Sequence, residues 1–590
     1  MTESSISRRS LFKMGGLAAA GIAAGATLGA CSPAGGSDDK GAATDATTAQ
    51  ATTGTPAAGN AATSSWRTPP AEVTDFVNEY DYEVVCVGHG YAGMCACREL
   101  AESGKKVALI EVQAEDTYTA TGNESAALNS KLLDRFDIPH VDPVEYYQNW
   151  MAMTQNYPNG ELVMKFCQNM GEANDWYYSV LSEDELATMT SHGWPSTEHR
   201  LTAVGPFKFY PGTATFEAEG VKQTQILTHN REAAKALGAD FYFETEAQYL
   251  VMDNGAVAGL VASTPEGNVK FNCKAVVVAT GGFCNNNEML ADLIPDMIGN
   301  FVEGEEVAPE GGNGISFGRG IQMAYWAGAR LEQISIPTMN GKHLDPPTNR
   351  TNVPQAVWLD SNGKRFCNEF FPAVEHRGVP TIYRERQDIH CVFDSDILTY
   401  LEYCVPQHGT FNPTESALEG VAKSMEVARA KFEGTYDESK AEEFRAQVNV
   451  TACADTLEGL AEQIGLTGEA AKNFVASVER YNEFCKTGVD TEFGRYKETL
   501  FPVVNPPFYA ATGTSNMGKI MCTVGGIITD GEQNALDANF RPIPGLYVSG
   551  NDCGRRFGNE YFTPTPGVSL GMAITLGREC GRSVKAFLEA

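Results

Sequence analysis

Apolar positions along the chain fall into two patterns, and one long stretch has neither. The first pattern is a short unbroken run. Val84-Val85-Cys86-Val87 lies between Glu83 and Gly88 and predicts a strand buried on both faces, as in a parallel sheet. Val107-Ala108-Leu109-Ile110, Ala275-Val276-Val277-Val278 and Leu546-Tyr547-Val548 repeat it. The second pattern has a helical period. Met94, Cys97, Leu100 and Ala101 predict a helix closed by Gly104, and another helix opens after Gly567. Residues 414–488 read as polar amphipathic helices, for example around Thr456-Leu457 and Phe474-Val475. Residues 32–70 are Ala, Thr, Gly, Ser, Asp and Pro almost throughout, so they cannot bury a core and form the body of a linker over 32–75.

The turns between these elements carry the chemistry. Gly88-His89-Gly90-Tyr91-Ala92-Gly93 joins the first strand to the first helix. Gly88 permits a tight turn, Gly90 lets a pyrophosphate approach the backbone, and Gly93 lets helix pack on strand. The second strand ends in Glu111, which can accept both hydroxyl hydrogens of a ribose. Strand, glycine turn, helix, strand and acid predict a dinucleotide site. The acid favours an unphosphorylated ribose, hence FAD or NAD rather than NADP. Two further strand-to-turn junctions select FAD: Ala279-Thr280-Gly281-Gly282 and Ser549-Gly550-Asn551-Asp552. A site drawn from both ends of a chain suits a long dinucleotide lying extended. The helix beginning Val568-Ser569-Leu570 is expected to bring backbone N–H groups to the isoalloxazine carbonyls. The candidate cofactor residues are Gly88, Gly90, Tyr91, Ala92, Gly93, Glu111, Gly122, Asn123, Ala247, Thr280, Gly281, Gly282, Asn551, Asp552, Ser569 and Leu570; no metal is expected.

Composition narrows the setting. The chain has 590 residues, is 43% hydrophobic and 20% charged, and carries a formal charge of -31. That is a globular composition with no basic footprint for nucleic acid and no polybasic membrane patch. The 15 cysteines contain no CxxC, which argues against iron–sulfur, c-type haem and zinc-ribbon sites. Ser7-Arg8-Arg9-Ser10-Leu11-Phe12-Lys13 followed by a mild Ala/Gly-rich run reads as a twin-arginine export signal over 1–31. Leu28-Gly29-Ala30-Cys31 reads as a lipoprotein cleavage box. The expectation is export of the folded protein to the outer face of the cytoplasmic membrane, with a lipid anchor at Cys31 as its sole membrane contact.

From about residue 80 to 590 the chain resembles the FAD-dependent group of soluble fumarate reductases, urocanate reductase and 3-oxosteroid 1-dehydrogenases. The resemblance rests on the glycine turn, Ala279-Thr280-Gly281-Gly282, Gly363-Lys364-Arg365-Phe366-Cys367-Asn368-Glu369, Asp490-Thr491-Glu492-Phe493-Gly494-Arg495, Thr523-Val524-Gly525-Gly526 and the C-terminal helix. It implies an α/β fold: a Rossmann-like FAD-binding domain over 76–334 and 521–590, with an inserted α+β capping domain over 335–520. It also implies hydride transfer between flavin N5 and a C=C or CH–CH group. With no attached carrier domain in sight, electrons are expected from a separate quinol-, haem- or flavin-linked donor.

The family's dicarboxylate clamp is broken here. Its Thr-Glu pair falls on Thr348 and Asn349, and its two His positions on Ile336 and Cys522, the latter beside Thr523. Its proton-donating Arg falls on Ala373, with His376 and Arg377 shortly after. Counting forward from Asn551 puts its last Arg on Tyr561, and counting back from Arg578 puts it on Pro564; Tyr561 resembles the catalytic Tyr of the steroid enzymes, and Arg555 and Arg556 either bind a carboxylate or face solvent. Two charges in a dry site need paired cations, so fumarate is disfavoured. An enoate, aryl acrylate or enone with one polar anchor fits better. The candidate catalytic residues are Arg377, Tyr561 and His376; the candidate substrate contacts are Thr348, Asn349, Cys522 and Thr523. Phe207, Phe209, Tyr210, Phe370, Phe371 and Phe562 either line an apolar pocket or pack as core. The leading expectation is a terminal reductase of anaerobic respiration. A 3-oxosteroid-type dehydrogenase and a non-catalytic ligand-binding lipoprotein are the alternatives.

Overall fold

The computed structural model describes residues 65–590 apart from 192–198, 217–219, 295–314, 340–341, 346–352, 371–387, 408–410, 412, 441–445, 447, 518–521 and 559–560. The unbroken apolar runs do form adjacent strands. Val84–Val87 pairs in parallel with Val107–Ile110 on one side and with Ala275–Val278 on the other. The sheet continues through Asp240–Tyr242 beyond Val107–Ile110, and through Pro542–Val548 beyond Ala275–Val278. Asn534–Leu536 closes one edge antiparallel, making six strands.

Alternate residues of these strands enter two different cores, which is why the runs contain no polar position. Val85, Val87, Val276, Val278 and Leu546 join Leu260, Phe271, Phe166 and Ile321 on one face. Val84, Cys86, Val107, Val277 and Tyr547 join Met94, Leu100, Ile574 and Val584 on the other. The second face is covered by the helices Tyr91–Glu102 and Val568–Glu589. These pack backbone to backbone. A Cβ at Gly577 would lie 2.6 Å from the Ala92 carbonyl oxygen, and one at Gly581 3.0 Å from that of Ala96. Four-residue spacing on both helices puts small residues at each close approach. The first face is backed by a four-stranded sheet in the order Asn78–Asp81, Gly267–Asn272, Ala256–Thr264, Glu246–Asp253.

Between Thr338–Met339 and Cys522–Thr523, which pair with each other, the chain builds a separate sheet. Its order is Lys342–Asp345, Phe508–Met517, Asp388–Phe393, Val357–Asp360, with Ala452–Ala454 also on Phe508–Met517. The amphipathic helices expected over 414–488 are Glu415–Glu433, Leu457–Gln463 and Gly468–Thr487. Glu415–Glu433 covers Trp358, Cys391 and Phe393; the other two cover Val357, Leu359 and Val392.

Two of the motifs behind the resemblance meet in this region. Arg365 makes two bonds to the Glu369 carboxylate, at 2.7 and 2.9 Å, and reaches Asp490 at 2.9 Å. Arg495 reaches the same Glu369 at 3.2 Å. The four side chains are shut off from water, so two buried cations are balanced by two buried carboxylates.

Candidate active site

The turns after Val84–Val87, Ala275–Val278 and Pro542–Val548, and Glu111 after Val107–Ile110, lie at one rim of the main sheet, where the chain turns away in opposite directions after Val84–Val87 and Ala275–Val278. That rim is where open parallel sheets bind ligands. Gly88 has φ +106°, and a Cβ there would lie 2.4 Å from the Ala279 carbonyl oxygen. A Cβ at Gly93 would lie 2.0 Å from the Gly88 carbonyl oxygen. These two glycines are needed by the protein's own packing. Gly90 differs: a Cβ there would meet nothing within 4 Å. It is the N-cap of Tyr91–Glu102, and no side chain caps that helix. Unclaimed N–H groups beside a cradle that a Cβ would enter fit a phosphate group.

Glu111 is buried, and its carboxylate accepts the His89 N–H at 2.7 Å and the Gln113 N–H at 3.0 Å. Burial raises its pKa despite those bonds. The two bonds fix the carboxylate beside the glycine turn. Ala247 lies two residues past Thr245, whose N–H donates to the Glu111 carbonyl. Gly122 approaches Leu570 and Tyr91, and the Tyr91 hydroxyl donates to the Thr121 carbonyl at 2.7 Å. Asn123 follows on the exposed edge.

The second turn is tied to the third. Asp552 accepts the Thr280 hydroxyl and the Gly281 N–H, each at 2.9 Å. Thr280 in turn accepts the Gly320 N–H at 2.9 Å. Burial pushes the Asp552 carboxyl up to about 7. Thr523 lies beneath this turn: its hydroxyl accepts the Phe283 N–H at 2.9 Å, and a Cβ at Gly282 would lie 2.2 Å from it. Thr523 thus supports the turn, and its neighbour Cys522 is half-buried against Met339, sulfur to sulfur at 3.4 Å.

The C-terminal helix corrects one expectation. Gly567, with φ +71°, is its N-cap and brings its first turn against the strand Glu124–Ala126. The Ser569 N–H, however, is taken by the Tyr561 hydroxyl at 3.0 Å. Tyr561 is 3% exposed, with its ring edge-on to Phe557 at 4.9 Å. Arg556 does not face solvent; it is 1% exposed. Its Nε donates to the Cys553 carbonyl at 2.9 Å and Nη2 to Asn551 Oδ1 at 3.0 Å. Arg555 donates its backbone N–H to Glu332 at 2.9 Å. Glu332 is a buried acid that the spacing argument does not reach, and burial raises its pKa. Its one sequence signal is an acid beside the apolar Leu331.

His89, the second residue of the glycine turn, was also missed as a special position. It is fully buried, and both ring nitrogens are without hydrogen-bond partners. Tyr118, Phe243 and Phe241 surround it at centroid distances of 4.5, 5.5 and 5.9 Å. Burial drives its pKa down to about 3. Phe207, Phe209, Phe370 and Phe562 pack in one small cluster, while Tyr210 packs on Tyr146 instead. Thr348, Asn349, Phe371, Ala373, His376 and Arg377 lie outside the described residues. Among the described residues no group of three His, Cys, Asp or Glu is arranged to hold a metal ion.

Comparison with known proteins identifies the family and the cofactor. The FAD binding domain family matches residues 83–569. The vinyl phenol reductase of Lactiplantibacillus plantarum is 24% identical over 85% of this chain and 96% of its own. The digoxin reductase of Eggerthella lenta is 25% identical over 99% of this chain and 98% of its own. In fold, the chain is similar to the 3-ketosteroid-delta4-(5alpha)-dehydrogenase of Rhodococcus jostii, with a TM-score of 0.60, 20% identity and coverage of 87% of this chain and 98% of that one. The glycine cradle, Glu111 and the Thr280–Asp552 turn fit FAD, and a flavoenzyme replaces the reading as a non-catalytic lipoprotein. The chain belongs to the FAD binding domain family and is an FAD-dependent oxidoreductase.

Proposed function

We propose that this flavoenzyme reduces an activated C=C bond of an enoate, aryl acrylate or enone. The observation that carries the reading is the buried Tyr561 phenol on the N-terminus of Val568–Glu589, next to turns built from both ends of the chain. When bound, FAD supplies the hydride. Gly90, the N-terminus of Tyr91–Glu102 and Glu111 would hold its pyrophosphate and ribose. Asp552 keeps the Thr280-Gly281 turn in place. Tyr561 gives a proton to the substrate carbon α to the activating group, a step that general acids accelerate by about 10²–10⁴. Arg377 is the other candidate for that role.

Ile336 is 2% exposed and Cys522 half-buried, in place of the cationic clamp of a dicarboxylate site. A single polar anchor suits a bulkier alkene. Relatives named for the reduction of vinyl phenol, digoxin and urocanate support the reducing direction and the breadth of substrate class. The twin-arginine pattern and Cys31 support an exported, lipid-anchored enzyme. It would take electrons from a separate donor in anaerobic respiration.

The test is anaerobic reoxidation of the dye-reduced holoenzyme, purified from residue 32. Fumarate, urocanate, cinnamates and a conjugated ketosteroid form the panel. Rapid reoxidation by one alkene establishes the reductase and its substrate class. Silence across the panel, with bleaching of the oxidised enzyme by a saturated ketosteroid, establishes the dehydrogenase direction that Tyr561 also favours.

A further inference from the structure

Arg556 is held where a guanidinium is costly to place. Nη1 is buried without any hydrogen-bond partner, although the other donors of the group are bonded to Cys553 and Asn551. Among the described residues no carboxylate forms an ion pair with it. The acids that face it are Glu332 and Asp552, both with pKa values raised by burial. Cys522, Cys553 and Tyr561 are further titratable neighbours among the described residues. A buried cation without a paired anion is costly to desolvate, and its field in a dry interior is weakly screened.

The Arg556 guanidinium lies 5.0 Å from the centre of the Phe557 ring, which meets the Tyr561 ring edge-on at 4.9 Å, so Tyr561 lies close to that charge as well as to a helix terminus. Its hydroxyl accepts the N–H of Ser569, the second residue of a 22-residue helix. Tyr146, from the helix Pro143–Met153, and Phe557 pack near it and are uncharged. A helix N-terminus and a neighbouring cation both favour a negative oxygen.

We propose that Arg556 is a positioning residue for proton transfer: its unpaired charge and the Ser569 N–H together stabilise the Tyr561 phenolate. The inference rests on the reading of Tyr561 as proton donor. In that step the Tyr561 O–H bond breaks and a C–H bond forms at the carbanionic carbon of the substrate. The negative charge passes from that carbon to the phenol oxygen, where Arg556 and Ser569 meet it.

The test reads ionisation directly in the oxidised holoenzyme. Phenolate absorbance is recorded across pH for the protein and for Tyr561→Phe, and the difference isolates Tyr561. Tyr561 is expected to titrate near or below the ordinary phenol value of about 10 despite its burial. In Arg556→Gln it should move up by about one unit or more, and Arg556→Lys should restore most of that. A Tyr561 that stays protonated to the alkaline limit overturns the proposal without any change at Arg556, so a variant that fails to fold does not shelter it. An unchanged titration in folded Arg556→Gln overturns it as well. Full alkene reduction by Tyr561→Phe, alongside a normal titration, would instead remove the proton-donor reading.

Discussion

Thr280 and Asp552 lie 272 positions apart and are joined by a hydrogen bond, the Thr280 hydroxyl donating to Oδ1 at 2.9 Å. The bond ties the turn after Ala275–Val278 to the turn after Pro542–Val548, so two turns of the candidate site share one buried carboxylate.

Asp552 has a native pKa of about 7 against 3.8 for an unburied Asp. The native state therefore keeps a proton that the unfolded chain releases. Stability from this group is present below the unfolded value and is lost as pH rises from about 4 to 7, by at most about 4 kcal/mol. Asp552→Asn removes that slope. Its melting temperature should gain on the unsubstituted protein as pH is raised from 5 to 8. A difference that stays flat with pH rejects the assignment.

His89 has the opposite sign. Its native pKa is about 3 against 6.5 when exposed, so the unfolded chain takes up a proton that the native state refuses. Stability is lost as pH falls below about 6.5. Replacing a buried ring with two unpartnered nitrogens by an apolar side chain is close to neutral where the ring is uncharged. His89→Leu should melt near the unsubstituted protein at pH 8 and above it at pH 5, as read by calorimetry. Equal melting points at pH 5 would show that the ring finds a partner or water there.

Gly90→Ala and Gly93→Ala should separate binding from folding. At position 90 the new methyl meets no protein atom within 4 Å, whereas at position 93 it lies 2.0 Å from the Gly88 carbonyl oxygen. Gly90→Ala should fold with an unchanged urea midpoint but bind FAD more weakly. Gly93→Ala should lose about 1–3 kcal/mol or more by overpacking. Flavin fluorescence on titration and a denaturant curve distinguish the two. Tight FAD binding by Gly90→Ala would mean that the pyrophosphate does not pass over this residue.

Glu369→Gln should destabilise the inserted region by about 3–5 kcal/mol, because the Arg495 side chain would lose its buried carboxylate and Arg365 would keep only Asp490 and the partly exposed Glu492. Limited proteolysis and urea unfolding would report the loss. A variant with unchanged stability would show that the network carries no net energy.

The unbroken apolar runs located the central strands because a strand buried on both faces tolerates no polar residue along it. Val107–Ile110 and Ala275–Val278 have the bounds their sequences suggest. The sheet Glu246–Asp253, Ala256–Thr264, Gly267–Asn272 was not anticipated, since its strands mix buried and partly exposed residues without a clean alternation. The glycine roles were legible for a similar reason: a missing side chain at a fixed spacing has few explanations. The Arg365–Glu369–Asp490–Arg495 network was visible as two motifs, but nothing local says that they pair with each other.

What the amino-acid order determines here is local: where a strand must be buried, where a turn must lack a Cβ, where a helix can start and where no core can form. Those features depend on neighbours within a few residues, so they survive without coordinates. Tertiary structure alone decided that Arg556 is buried with an open donor, that the Ser569 N–H is taken by Tyr561, that Thr523 faces the Gly282 turn, and that Asp552 titrates near neutrality. Burial and electrostatic environment are set by whatever packs against a residue: Thr523 and Asp552 meet partners more than two hundred positions away, while Arg556 and Tyr561 meet near neighbours brought round by a turn.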